Sequence, residues 1–254
     1  MKLPQPLASL LAGVSMAALL CANQALADDL VVSAAASLTN AFKDIGAEFE
    51  KTQPGTKVSF NFAASGPLLQ QIDAGAPVDV FASADQDTLD KAADKKLINP
   101  ATRRNFASNH LVLVQPRSAA PIAGVADLKA GTVKRIGIGN PASVPVGRYT
   151  RDVLQADGLW DALADKFILA DSVRQVLDYV ARGEVDAGFV YATDASVAQD
   201  KVSVVTVVAT QKPVRYPIAV VAASKQPARA AEFITFVASP AGQAILEKYG
   251  FAKP

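Results

Sequence analysis

Leu30-Val31-Val32-Ser33-Ala34-Ala35-Ala36-Ser37-Leu38-Thr39-Asn40-Ala41-Phe42 is the stretch that decides the fold. Its first three residues form a short apolar run that reads as a buried strand. After it Leu38, Phe42, Ile45 and Phe49 fall on one helical face, at spacings of four, three and four. Between strand and helix lie only small residues and hydroxyls. The same alternation continues outward. Val58, Phe60 and Phe62 alternate as a strand, Pro67 opens a helix with Leu68, Leu69 and Ile72, and Val78 to Ala82 is a third strand before a charged helix over Thr88 to Lys96.

The pattern restarts at Leu111. Strands at Leu111 to Val114 and Arg135 to Ile138 precede a helix from Val146 to Gln155, and Val173, Val176, Leu177 and Val180 mark another helix. Strands follow at Ala187 to Tyr191, Val202 to Val208 and Ile218 to Val221, and helices from Pro227 to Val237 and Ala241 to Tyr249 close the chain. Repeated strand–helix units of this kind predict an α/β protein with mostly parallel sheets. The reading gives two lobes joined by crossings near Asn109 and Val220. Residues 28–109 with 222–254 form the first lobe and residues 110–221 the second.

The first 27 residues stand apart. Lys2 is their only charge, an apolar stretch runs from Leu7 to Ala22, and Ala25-Leu26-Ala27 has the small-x-small form of a signal-peptidase site. A signal peptide over 1–27 is therefore expected, with Asp28 as the new N-terminus. Gly13 and Ser15 interrupt the apolar run, which argues against a membrane span. Cys21 follows Leu20 where a lipid-anchor motif wants a small residue, so lipidation is not expected. Export without disulfide or anchor fits a periplasmic protein.

The 254 residues carry 25 Lys+Arg and 24 Asp+Glu, a net charge of +1. Without Lys2 the balance is 24 against 24. No basic surplus exists for counterion release, so nucleic acid is excluded as a partner. Removing the leader also removes Cys21, Met1 and Met16, the only sulphur atoms, and leaves His110 as the single histidine. A thiolate or imidazole-rich metal site cannot be built, and only carboxylates remain as possible metal ligands. His110 lacks a second ligand or serine partner and reads as structural.

Ligands in open α/β sheets bind beyond the carboxyl ends of strands. Those places here are Ala34 to Asn40, Ala63-Ala64-Ser65-Gly66-Pro67, Ser143-Val144-Pro145-Val146-Gly147 and Asp171-Ser172-Val173-Arg174-Gln175. Small side chains let a ligand reach helix-start N–H groups, which lack intrahelical partners and favour anions. Ser37 and Ser65 are either such ligand groups or plain N-caps. Ser172 and Gln175 fit a capping box, Asp79 and Asp85 read as caps or loop holders, and Tyr191 reads as a core aromatic with its hydroxyl at the rim. Enzyme motifs are missing. Ser65 lacks the G-x-S-x-G elbow, there is no P-loop, and Gly137-Ile138-Gly139-Asn140-Pro141 falls short of a dinucleotide fingerprint.

The opening stretch from Ala34 to Ala41 resembles the first motif of the periplasmic molybdate-binding proteins, the solute receptors of molybdate ABC transporters. Phe62 to Ser65, Ala74 to Gln86, Val144 to Gly147, Asp171 to Arg174, Val190-Tyr191, Arg215 to Val220 and Tyr249 to Phe251 agree in the same order. The resemblance implies a two-lobed periplasmic binding protein fold of type II, with mixed, mostly parallel sheets flanked by helices and the ligand in the inter-lobe cleft. It implies no enzyme and no cofactor. The ligand would be molybdate or tungstate, a metal held only as its oxyanion, and the partner an inner-membrane permease; a monomer is expected. By motif the ligand groups fall on the hydroxyls of Ser37, Ser65 and Tyr191 and the amides of Val146, where some relatives have Ala, and Val173. The neighbouring amides of Leu38, Gly66 and Gly147 are further candidates.

Donors of this neutral kind bind an ionised ligand at about 1.5–3 kcal/mol each. They discriminate against an oxyanion that still carries a proton, since hydrogen phosphate needs an acceptor. Sulfate has no such proton and has to be refused by size. The competing readings are a receptor of the same fold for sulfate or a carboxylate held by Arg148 or Arg174, and a serine hydrolase using Ser65.

Overall fold

The first strand, β1 (Leu30–Ala35), is an inner strand of the first sheet and ends at the small-residue segment singled out above. The computed structural model describes residues 29–254, so the signal peptide over 1–27, the new terminus at Asp28 and Cys21 lie outside the described residues. Beyond β1 come a 3₁₀ turn (Ala36–Leu38), α1 (Thr39–Thr52), β2 (Val58–Ala63), α2 (Ser65–Asp73), β3 (Val80–Ala82), α3 (Gln86–Asp94) and β4 (Arg104–Asn109). The second group comprises β5 (Leu111–Pro116), β6 (Ile136–Gly139), α4 (Pro145–Ala156), α5 (Trp160–Leu163), β7 (Phe167–Ala170), α6 (Val173–Ala181), β8 (Ala187–Tyr191), α7 (Ala192–Val197) and β9 (Val202–Val208). The chain ends with β10 (Val214–Val220), α8 (Pro227–Ala238) and α9 (Pro240–Lys248).

Among the described residues ten strands form two five-stranded sheets, ordered β2-β1-β3-β10-β4 and β7-β6-β8-β5-β9. In each sheet one strand runs against the other four: β10 is antiparallel to β3 and β4, and β5 is antiparallel to β8 and β9. The sheets are therefore mixed and mostly parallel, flanked by helices. The chain crosses from the first sheet to the second at His110 and returns between β9 and β10. That return lies in residues 209–213, earlier than the expected crossing near Val220, because β10 pairs with β3 through Ile218, Ala219 and Val220. An apolar run does not record which sheet it joins, which is why the sequence placed this strand on the wrong side. Helices α8 and α9 then pack on α1 and β10.

Helix α2 begins at Ser65, two residues before the expected start at Pro67. First-turn N–H groups have no intrahelical acceptor, so proline is accepted inside that turn and need not mark its first residue. One apolar core runs through both lobes, and its composition differs between the two sheets. Phe42, Phe49, Phe106 and Phe233 interlock around the first sheet, with Phe49 and Phe233 edge to face at 5.3 Å. Around the second, Val112, Leu113, Ile136, Ile138, Val176 and Phe189 are buried, mostly aliphatic.

Candidate functional site

The carboxyl ends of β1, β2, β6, β7 and β8 converge where the lobes meet. They surround a small cavity lined by Ala35, Ala36, Ser37, Ala64, Ser65 and Ala84 from the first lobe and by Val144, Pro145, Val146, Val173 and Tyr191 from the second. All five residues expected at the site from sequence are thus brought together. Each is almost fully buried, from 0% exposure at Ser65 and Val146 to 4% at Val173.

The lobes touch around the cavity. Gly66 N–H donates to the Ser143 carbonyl at 3.0 Å, and a Cβ on Gly66 would collide with that oxygen. Arg148 on α4 reaches over to Asp85, with Nη2 at 2.6 Å, and to Thr88 Oγ1 at 2.7 Å. Arg174 Nη2 approaches the Ser37 carbonyl at 3.4 Å. The cleft is therefore closed.

The N-cap positions at these turns are Ala35, Leu38 and Ala64, none with a side-chain capping bond, so Ser37 and Ser65 are not the caps that spacing allowed. Ser65 Oγ accepts a hydrogen bond from Ala84 N–H at 3.0 Å, which leaves its own hydrogen free. Ser37 Oγ lies 3.0 Å from the Tyr216 hydroxyl. Tyr191 Oη is buried with no hydrogen-bond partner in the protein. Burial pushes the Tyr191 phenol well above its ordinary pKa, so it stays protonated and a donor. An orphaned buried hydroxyl costs about 1–3 kcal/mol and fits a group meant for a ligand.

Two amides are further candidate donors. Val146 is the second residue of α4 and Val173 the first of α6, positions whose N–H has no acceptor within the helix. Both helices point the positive end of their dipoles at the cavity. Gly147 explains how α4 comes so close: a Cβ there would strike the carbonyl of Gly139 at the end of β6. The further amide candidates Gly66 and Gly147 are committed elsewhere, to Ser143 and Val144 carbonyls, and drop out of the donor set.

The capping readings hold for the other residues. Ser172 Oγ accepts from Gln175 N–H at 3.2 Å, and the Gln175 amide reaches back to Asp171 N–H. Asp85 caps α3 through Thr88 N–H, and Asp79 holds Val31 N–H and Ser224 Oγ. His110 is exposed, its backbone joined to Asn109 Oδ1 and Ala192 N–H.

Neither arginine enters the cavity. Arg148 is held by Asp85, and Arg174 Nε is 2.6 Å from Asp194 Oδ1, so each guanidinium is neutralised by a buried carboxylate. Burial raises the Asp194 carboxyl to about 6, against the opposing pull of Arg174. The sequence had not singled out Asn109, Tyr216 or Asp194 as part of this neighbourhood, though Tyr216 lies in the Arg215 to Val220 segment of the resemblance. No cluster of three or more His, Cys, Asp or Glu that could hold a metal ion exists among the described residues. No helix among them is long and apolar enough to cross a membrane.

Two lobes of one topology, closed on a buried cavity at the carboxyl ends of their strands, define a bilobal solute receptor. The chain belongs to the bacterial extracellular solute-binding proteins, whose family model matches residues 30–252. It is 40% identical over 252 residues to the molybdate-binding protein ModA of Escherichia coli strain K12, with 96% of each chain covered. The solved periplasmic molybdate-binding protein of Azotobacter vinelandii superposes with a TM-score of 0.75 at 26% identity, covering 89% of this chain and 99% of that one. The sulfate-binding protein SubI of Mycobacterium tuberculosis superposes with a TM-score of 0.77 at 17% identity, a likeness of fold alone; 89% of this chain and 86% of that one are covered.

Proposed function

We propose that this protein is the periplasmic receptor of a molybdate ABC transporter. It captures molybdate, and tungstate of nearly the same size and charge, between its lobes and hands the ion to an inner-membrane permease. The carrying observation is the donor set around one cavity: the hydroxyls of Ser37, Ser65 and Tyr191 and the amides of Val146 and Val173, with no cationic side chain in the lining. Each such bond to a charged oxygen contributes about 1.5–3 kcal/mol, and the fixed helix starts spare the cost of orienting them. Because both lobes contribute donors, the ion favours the closed form over an open one, and the closed form is what a permease distinguishes.

The relatives are solute-binding proteins, and the role proposed here is binding without catalysis, as a monomer and without a cofactor. The signal-peptide pattern over 1–27 supports a periplasmic location. A sulfate or carboxylate receptor using Arg148 or Arg174 is disfavoured because both guanidinium groups are engaged by aspartates. A hydrolase using Ser65 is disfavoured because no histidine or other base is bonded to its hydroxyl; its recorded partner is Ala84 N–H. Calorimetric titration of the chain from Asp28 with molybdate, tungstate, sulfate and phosphate tests the proposal. Tight one-to-one binding of the first two alone is the expected result, and no heat with either contradicts it.

A further inference from the structure

Ser37 is the one ligand hydroxyl whose partner is another hydroxyl, so the direction of that bond decides whether Ser37 can donate to an anion. The partner, Tyr216, is fully buried on β10, at the register shift where Pro217 interrupts the pairing with β4. A bulge of this kind re-aims a side chain. Behind Tyr216 lies Asn109, the last residue of β4. His110 N–H donates to Asn109 Oδ1 at 2.8 Å, which fixes the amide with its oxygen toward the backbone and its Nδ2 toward the hydroxyls. Nδ2 then donates to Thr193 Oγ1 at 2.8 Å and to Tyr216 Oη at 3.3 Å.

Tyr216 Oη thus receives a hydrogen from Asn109, and its own hydrogen needs an acceptor. Nδ2 cannot accept, and Ser37 Oγ at 3.0 Å is its other partner. Were Ser37 the donor instead, the Tyr216 hydrogen would be buried without an acceptor. Tyr216 holds that hydrogen throughout the physiological range, since burial raises its pKa well above the ordinary value. The chain therefore runs from Asn109 through Tyr216 to Ser37 and turns the Ser37 hydrogen to the cavity. Ala84 N–H does the same for Ser65.

We propose that Tyr216, anchored by Asn109, is a positioning residue that fixes Ser37 as a hydrogen-bond donor and thereby selects tetrahedral oxyanions that carry no proton. An incoming O–H, as on hydrogen phosphate, meets the Ser37 hydrogen rather than a lone pair. The inference rests on the reading of the cavity as an oxyanion site.

The test is a double-mutant cycle on molybdate binding. Tyr216→Phe removes the hydrogen given to Ser37, and molybdate affinity falls roughly tenfold, the equivalent of one lost hydrogen bond to a charged group. In a Ser37→Ala background the same change costs nothing further, because the group it orients is gone. Competition at neutral pH shows the molybdate-to-phosphate affinity ratio of Tyr216→Phe narrowed by about threefold or more, an effect that loosened packing does not produce. Equal losses in both backgrounds, or an unchanged ratio, overturn the inference while leaving the molybdate reading intact. Absence of molybdate binding by the unsubstituted chain overturns both. Should thermal unfolding show that Tyr216→Phe does not fold, Asn109→Ala gives a smaller loss of the same kind, again absent with Ser37→Ala. A neutron structure of the unsubstituted, molybdate-bound chain reads the direction without any substitution. Deuterium on Tyr216 Oη pointing at Ser37 supports the inference, and deuterium on Ser37 pointing at Tyr216 overturns it.

Discussion

The two lobes share a strand order but offer the cavity different chemistry. In the first, β1 and β2 run into small-residue turns that present the side-chain hydroxyls of Ser37 and Ser65. In the second, β6 and β7 lead to the starts of α4 and α6, where Val146 and Val173 line the same space, and only β8 adds a side-chain hydroxyl, that of Tyr191. An amide at a helix start is aimed by the backbone itself. A serine hydroxyl rotates, so each serine needs a fixed neighbour, and these are Tyr216 for Ser37 and Ala84 N–H for Ser65. In the proposed site, one architecture thus offers two routes to an anion donor, and the side-chain route depends on groups behind the cavity wall.

The strongest break in that comparison is on the hydroxyl side. Ser65→Ala removes a donor and also strands the buried Ala84 N–H, so molybdate affinity should fall about tenfold to a hundredfold while stability drops by about 1–3 kcal/mol. Calorimetry and thermal unfolding on one preparation read both, and an affinity loss without a stability loss would deny Ser65 its second role. On the amide side Val173→Pro deletes the N–H at a first helical position that proline favours, after Ser172, whose φ of −157° and ψ of 164° are already extended. Affinity should fall roughly tenfold with the fold intact, whereas Val173→Ala, which keeps the amide, should bind nearly as well as the unsubstituted chain.

A smaller effect belongs to the contact between the lobes. Arg148→Met removes the bonds to Asp85 and Thr88 that exist only across the closed cleft, and affinity should fall by roughly fivefold. Scattering in the absence of ligand should show a more open particle than the unsubstituted chain, and identical profiles would count against a role for the Arg148 contacts in holding the lobes together. The smallest change concerns pH. Asp194 is raised from 3.8 to about 6, so the folded state takes up its proton before the unfolded chain does. This contribution to stability is present below the unfolded value and is lost as pH rises through about 6. Asp194→Asn removes that slope, so the difference in Tm between pH 5 and pH 7 should shift in the variant relative to the unsubstituted chain, in the direction of less gain at pH 5.

The sequence carried much of this. Apolar runs and helical spacings located the central strands and the helices that bear Val146 and Val173, because those elements are buried on regular faces. Two edge strands went unread. β4 exposes Arg104 and Asn105 and shows no continuous apolar run, whereas β7 is apolar throughout but only four residues long, with Ile168 and Leu169 exposed at the sheet edge. The return crossing was misplaced because Ile218 to Val220 is equally apolar whichever sheet it joins. At the site, small residues and hydroxyls pointed to Ser37 and Ser65, and the resemblance added Tyr191 and the two amides. The groups that orient the hydroxyls were not legible as a set. Tyr216 lies 179 residues from Ser37, and Asn109 lies 107 residues from Tyr216. Only the fold of β10 between β3 and β4 brings them into line.

The account stands most directly on where the ion sits. A crystal structure of the chain from Asp28 with molybdate, the metal located by its anomalous scattering, should place the ion's oxygens about 2.7–3.2 Å from Ser37 Oγ, Ser65 Oγ, Tyr191 Oη and the amide nitrogens of Val146 and Val173. An ion found outside this cavity, or held by Arg148 or Arg174 released from their aspartates, would contradict it.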